Sequence, residues 1–334
     1  MIDPVTGFDY PPTWVKKCSS PDLLPLVEKG LAVLTASGTV IRRGYTTGTT
    51  AAAACKAAIL SLSGIVTSVR IEIPCRLVVD VPVIGFAGKA SSKKFAGDYP
   101  DDVTAGMEFI AEALPMEGGI RFIPGEGIGR FSRETPRFRK GNPAITPAPL
   151  EYILIAIQEA IDQQGLSGAQ VTLHIPKGAD IAKRTLNSRV GIAGGVSILG
   201  TTGLVEPWDD HLQDSMRQRI SISRNALLTT GRIGLRYARL LYPDHDIVLI
   251  GGKIKEALDA AQGDVILFGL PALILRHINP HILDGTGYFT VEEFAASPAF
   301  HQIMISSLRE FKKDHPLVKV VLVNREGSVI GESP

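Results

Sequence analysis

The run Ala51-Ala52-Ala53-Ala54-Cys55-Lys56-Ala57-Ala58-Ile59-Leu60 constrains this chain more than any other stretch. Alanine is the strongest helix former and has almost no side chain, so the run predicts a helix whose backbone lies close against a neighbouring layer. It is preceded by Arg42-Arg43-Gly44-Tyr45-Thr46-Thr47-Gly48-Thr49-Thr50. A threonine hydroxyl near Thr49 or Thr50 is placed to cap the first free amides of the helix. Two glycines allow a tight turn, four threonines offer hydroxyls, and two arginines stand beside the positive end of the helix dipole. Such a loop suits an anionic ligand. A capped helix packed on a sheet, with no ligand, suits it equally.

A chain of 334 residues is long for one core and predicts two domains, 1–195 and 196–334. Hydrophobic residues at 45% and charged residues at 21% describe an ordinary globular protein. The formal net charge of +1 leaves no excess of cations for a phosphate backbone, so nucleic acid is not an expected partner. Any anion binding must come from local clusters. Cys18, Cys55 and Cys75 show no CxxC or metal-ligand spacing and fit a reducing cytosol. The first residues lack a basic stretch followed by an apolar core, and no segment reaches the roughly 18 apolar residues of a membrane span. A cytoplasmic location without a membrane partner is expected.

Residues 1–18 are rich in proline and aromatics without periodicity and read as an extended arm. Ser20-Pro21-Asp22 starts a helix expected to run to about Leu34. Val69–Ile73 and Arg76–Val83 alternate like the strands of a hairpin. Lys93 to Thr104 packs Asp98, Asp101 and Asp102 around Pro100 in a loop. Gly118 to Phe131 reads as strand, glycine-rich turn, strand, and Arg130, Arg133, Arg137, Arg139 and Lys140 then stand against Glu134 alone. Pro149–Gln163 is an amphipathic helix, and Val171–Ile175 is a strand in which His174 reads as a core residue. Asn187–Pro207 has too many glycines for a helix and too many apolar residues for a linker, and reads as tightly packed backbone at a domain junction.

Beyond it strands and helices alternate: Ala226–Thr229 then Ile233–Leu241, Asp246–Ile250 then Lys253–Gln262, Asp264–Phe268 then Leu270–Ile278. A long helix from Val291 to Lys312 and a strand Lys319–Val323 follow. Four short apolar strands separated by helices predict a smaller α/β, Rossmann-like domain with a four-stranded parallel sheet. Ligands of such sheets lie beyond the carboxyl ends of the strands. There stand Thr229-Thr230-Gly231-Arg232-Ile233-Gly234, Ile250-Gly251-Gly252-Lys253 and Phe268-Gly269-Leu270-Pro271. None is a GxGxxG with a following acid, so NAD is not supported, and GxxxxGK[ST] and GxSxG are absent. The histidines are scattered, with Pro280 between His277 and His281, and no protein-bound metal is expected.

GYTTGTTAAAACKAAIL, AGDYPDDVTAG, IPGEGIGRFSR, GNPAITPAP and RTLNSRVGIAGGVSILGTTGLVEP, taken in this order, resemble the CbiD family. The resemblance is dense from Arg42 to Pro207, and Thr229–Gly234 is similar to that family's Thr-Pro-Gly-x-x-Gly. The family comprises cobalt-precorrin-5B (C1)-methyltransferases of anaerobic cobalamin synthesis. The resemblance therefore implies methyl transfer from S-adenosyl-L-methionine, as cosubstrate, to carbon 1 of a cobalt-precorrin that brings its own cobalt. It implies an α+β first domain, permuted and small-molecule-kinase-like, that binds the corrinoid, with the second domain on the methyl-donor side. A cobalt-precorrin is fringed with carboxylates, and Arg42, Arg43, Tyr45, Thr46, Thr47, Gly48, Thr49, Arg130 and Arg133 are the residues expected to receive them. Gly200, Thr201, Thr202, Glu206, Gly231, Gly234, Gly251 and Gly269 are expected to hold the methyl donor. Asp102, then Asp98 and Asp101, are the candidate catalytic carboxylates. A small-molecule kinase cradling nucleotide phosphates, and a non-catalytic tetrapyrrole carrier, remain alternatives, and a homodimer is open.

Overall fold

Residues 1–99, 102–134, 138–205 and 210–334 are described by a computed structural model. The arm is not simply extended. Phe8, Tyr10 and Trp14 pack ring on ring at 5.0 to 6.3 Å and close a small core with Val27, Ala32, Leu34 and Val40. Three aromatics bury enough apolar surface to fold the segment on itself. The expected helix to Leu34 stops at Glu28, and strand β1 (Ala32–Leu34) pairs antiparallel with β2 (Val40–Arg42).

After β3 (Gly44–Tyr45) comes helix α1 (Thr47–Leu60), buried from Thr47 to Ile59. Its alanines let it lie close to β4 (Val66–Glu72), β5 (Val78–Phe86), β6 (Lys89–Lys93) and β7 (Glu108–Pro115). Strands β8 (Gly119–Pro124) and β9 (Arg130–Phe131) precede helix α2 (Pro147–Gln164), which ends on left-handed Gly165 and leads into β10 (Gly168–His174). The main sheet runs β4-β5-β6-β7-β10-β8, with only β8 and β10 parallel. α1 and α2 pack on it, and the strict alternation along β5 leaves Val78, Ile84 and Phe86 exposed on the other face. His174 lies half-buried, its Nδ1 accepting the Glu126 N–H at 3.3 Å.

The glycine-rich segments pack against one another. A Cβ at Gly178 would stand 2.1 Å from the Gly127 carbonyl oxygen, and one at Gly195 2.2 Å from the same atom. Residues 192–205 form β11 (Ile192–Ala193), paired with β9, and β12 (Leu204–Val205), paired with β3. Val196 and Ile198 donate to the carbonyls of Gly127 and Ala144 at 3.0 and 2.8 Å. These bonds hold 196–205 in the first body, and the chain divides into Met1–Asp209 and Asp210–Pro334, a later boundary than the expected 195/196.

The second unit opens with α3 (Asp210–Ile222) and continues β13 (Ala226–Thr229), α4 (Arg232–Leu241), β14 (Asp246–Leu249), α5 (Ile254–Ala260), β15 (Val265–Gly269) and α6 (Pro271–Ile278). The long helix expected from Val291 is interrupted at Ser297-Pro298, giving α7 (Val291–Phe294), capped reciprocally by Thr290 and Glu293, and α8 (Phe300–Asp314). Strands β16 (Val318–Val323) and β17 (Val329–Glu332) complete a sheet of order β14-β13-β15-β16-β17. Four strands are parallel, and β17 adds an antiparallel edge. The chain steps from β13 outward to β14 and returns on the other side to β15, so the order reverses between β13 and β15.

Candidate functional site

The start of α1 is occupied by the chain itself. Thr46 caps the helix, accepting the Thr49 N–H at 3.3 Å. The N–H groups of Thr46 and Gly48 donate to the carbonyls of Gly203 and Leu199 at 3.0 and 3.1 Å. Thr47 Oγ1 lies 3.2 Å from the carbonyl oxygens of Ser197 and Leu199 and accepts the Leu199 N–H at 2.9 Å, while Thr49 Oγ1 donates to Gly203 O at 2.7 Å. Thr46, Thr47, Gly48, Thr49 and Thr50 are all buried. The expectation of a carboxylate seat here is corrected: carbonyl oxygens of residues 199–203 stand where an anion would. Gly200 packs against the Thr46 side chain, Thr201 is exposed, and Thr202 is tied to Leu204 and to the Cys75 N–H. These three belong to the first unit, not to the parallel sheet.

Neighbouring arginines have opposite fates because β2 and β3 alternate faces. Arg43 points inward with none of its side chain exposed, held by Asp3 at 2.6 and 2.9 Å and by the carbonyls of Gly30 and Ala32. Its expected contact with a ligand is corrected to an anchor for the arm. Arg42 faces solvent, takes Asp98 through Nε and Nη2 at 3.0 and 2.7 Å, and lies over Phe95. Tyr45 is half-buried, its ring 5.9 Å from Phe95 and its hydroxyl donating to Asp80 O at 3.3 Å. Burial and the nearby Asp80 raise its pKa.

Asp102 is paired with Lys94, whose side chain is almost wholly buried, and accepts the Thr104 N–H at 2.9 Å and hydroxyl at 2.5 Å. Burial pushes its carboxyl up, but the hydrogen bonds from Lys94 and Thr104 and the Lys94 charge outweigh burial and hold it below the usual range. For Asp98 the Arg42 hydrogen bonds come first and act in the same sense. Both carboxylates are therefore weak bases near neutrality. Lys94 was not singled out from the sequence; its only signal was a basic residue within the motif-rich loop. Asp101 and Glu206 lie outside the described residues. Arg130 is exposed and donates to Gly141 O at 2.9 Å, and Arg133 lies along Gly191.

In the second unit the strand order reverses between β13 and β15, whose carboxyl ends lead into Gly231 and Gly269, the place where ligands of such sheets lie. Gly231 caps α4 with extended backbone and has nothing within 4 Å of its Cβ position. Gly234 is spent on packing: a Cβ there would stand 2.2 Å from Thr229 Oγ1 and 3.2 Å from Gly269 Cα. Gly251 follows β14, one strand away from the reversal. A cavity of about 690 Å³ lies instead at the opposite edge of this sheet, lined by Asp259, His277, Phe311 and His315. The ends of α5, α6 and α8 meet there, presenting carbonyl rather than N–H groups, which makes that cavity a poor seat for an anionic group. Among the described residues no group of three or more His, Cys, Asp and Glu is assembled to hold a metal.

The model of the CbiD family matches residues 34–207. The chain belongs to the CbiD family. A protein named cobalt-precorrin-5B C(1)-methyltransferase from Methanoregula boonei is 62% identical over 334 residues, covering 100% of both chains. One of the same name from Methanoculleus marisnigri is 54% identical, again over 100% of both. The crystal structure of a cobalamin biosynthesis protein (cbiD) from Archaeoglobus fulgidus superposes with a TM-score of 0.71 at 37% identity, covering 82% of this chain and 91% of that one. The CbiD match falls within the first unit and takes in the residues that close the start of α1.

Proposed function

We propose that this chain transfers a methyl group from S-adenosylmethionine to carbon 1 of cobalt-precorrin-5B, giving cobalt-precorrin-6A in cytoplasmic, anaerobic cobalamin synthesis. The observation that carries this reading is end-to-end similarity, at 62% identity with no uncovered domain, to a protein bearing that activity's name. The cobalt enters with the substrate. We read the two units as a permuted, small-molecule-kinase-like body and a Rossmann-like body; the reversal of strand order at β13 and β15 supports the second.

The donor supplies an electrophilic methyl group on sulfur. The protein's task is then to align three atoms and to keep water out, and positioning of this kind is worth roughly 7 to 11 kcal/mol in favourable cases. Gly231, at the start of α4, and Gly269, at the end of β15, are the proposed donor seat, and the open space at Gly231 supports it. Asp98 and Asp102 stay ionised, so their proposed role is electrostatic, supporting the electron-rich ring carbon as it gives its electron pair to the methyl group, rather than proton removal. The kinase reading loses its main support, because the start of α1 holds the chain's own carbonyls. Anaerobic turnover with methyl-labelled donor and cobalt-precorrin-5B tests the proposal. Label appearing at carbon 1 is the expected result; magnesium-dependent nucleotide binding with no donor binding would overturn it.

A further inference from the structure

On the first unit, residues 184–190 carry exposed apolar and cationic side chains close together in the chain. Leu186 and Val190 sit one turn apart, the Val190 N–H donating to Leu186 O at 3.2 Å, and are 65% and 44% exposed. Their backbone is not loose. Asn187 between them is buried, its side chain bonded to Gly195 O and Ser197 Oγ at 3.3 and 3.2 Å, and its carbonyl accepts the Ile192 N–H at 2.8 Å. A rigid turn thus holds two aliphatic side chains out of the core, where folding gains nothing from them.

The cations come from two segments that run side by side. Ser132 donates from both N–H and hydroxyl to Gly191 O at 2.8 and 3.0 Å, and the Arg133 Nε would stand 2.7 Å from a Cβ on Gly191. Arg130 pairs with Ala193 across β9 and β11. Arg139, Lys140 and Arg184 are exposed, and among the described residues no carboxylate pairs with their side chains. Two acids close by in sequence are already engaged, Asp180 by Lys183 and Glu134 by the Lys140 N–H. In a chain of net charge +1 this is a local concentration, not a global bias.

We propose that the turn Arg184–Val190, with Arg139 and Lys140, forms the surface on which the corrinoid substrate lies, ring against Leu186 and Val190, carboxylate arms on Arg184, Arg139 and Lys140. This rests on the functional reading above and assigns the substrate a place on the first unit, away from the closed start of α1. The occupant must be apolar on its face and anionic at its rim, which describes a tetrapyrrole with acetate and propionate arms. Single-stranded nucleic acid, also anionic, would need exposed rings for its bases; Phe131 and Phe138 instead stack on each other at 4.3 Å.

The test uses cobyrinic acid, a cobalt corrin with free carboxylates, followed by absorbance under anaerobic conditions. Leu186→Asp is expected to weaken its binding by about tenfold while S-adenosylmethionine binding and Tm stay at wild-type values. Arg184→Gln is expected to weaken it by about fivefold at low salt and to flatten its salt dependence. Ile84→Asp, on the outer face of the main sheet, is the control and should bind as the wild type does. Wild-type affinity in Leu186→Asp, or equal losses in Leu186→Asp and Ile84→Asp, overturns this inference alone. A wild-type protein that binds no corrinoid at all fails the functional reading and the inference with it.

Discussion

Thr46-Thr47-Gly48 and Thr229-Thr230-Gly231 are the same tripeptide, each leading into a helix, α1 in the first unit and α4 in the second. At the first, a Cβ on the glycine would stand 2.8 Å from Pro149 Cβ and 3.3 Å from Leu199 O. At the second it would meet nothing within 4 Å. Both are helix starts, whose first N–H groups have no partner within the helix itself, which is all that nearby residues can specify. What takes those donors in α1 is a segment 150 residues further on. The same three letters therefore mark a joint in one place and an open edge in the other.

The largest effect that would test this contrast is Gly48→Val. Forcing two methyl groups against Pro149 and the Leu199 carbonyl should cost about 3 kcal/mol, read from denaturant midpoints. Gly231→Val, in open space with extended backbone, should change stability by less than about 0.5 kcal/mol. Equal losses would erase the distinction. Thr47→Val comes next: it removes the acceptor of the part-buried Leu199 N–H and should cost about 1 kcal/mol. Corrinoid binding should weaken only as far as folding does.

A third test is the acid limb of the stability curve. Burial pushes the Asp3 carboxyl up, but Arg43 outweighs it and holds it below the ordinary 3.8. A carboxyl lowered by folding contributes stability that is complete above its unfolded pKa and is lost as pH falls through the folded value. Thermal melts should therefore be flat down to about pH 5 and fall below about pH 4, and Asp3→Asn should lower the plateau and flatten the limb. The smallest structural effect is Gly231→Ala, with Tm unchanged. Calorimetry should show S-adenosylmethionine affinity reduced by about fivefold to tenfold, from loss of close backbone approach. Undiminished affinity would move the donor away from this edge.

The second unit was legible because its order is local. Each strand is a short apolar run, each helix follows directly, and β13, β14, β15 and β16 fall within a residue or two of where the alternation puts them. Proline marks what the pattern misses, as at Pro298, where one expected helix became two. The first unit was legible in its α1, in the hairpin of β4 and β5, and in the glycine-rich run 187–207, whose composition reads as tightly packed backbone. What the sequence does not name is the partner: only the fold shows Gly127, Gly178 and Gly195 pressed backbone to backbone. Arg42 and Arg43 were indistinguishable in sequence, and a one-residue step along an alternating strand put one in water and the other against Asp3. Leu186 and Val190 carried no signal at all, since exposure is a property of the finished surface.

The bonds between α1 and residues 199–203 also have a consequence in time. At 5 to 20 residues per second, the 152 residues from Thr47 to Leu199 keep a ribosome busy for roughly 8 to 30 s. Over that interval the nascent chain carries α1 with its threonines still wet and β3 without the strand that will pair with it. The first unit can close only when β12 emerges, so synthesis ends this wait just as it reaches the last residues of the family match. A stretch that must be complete before any of it is finished is one that evolution can lengthen beyond its end more readily than it can cut within it.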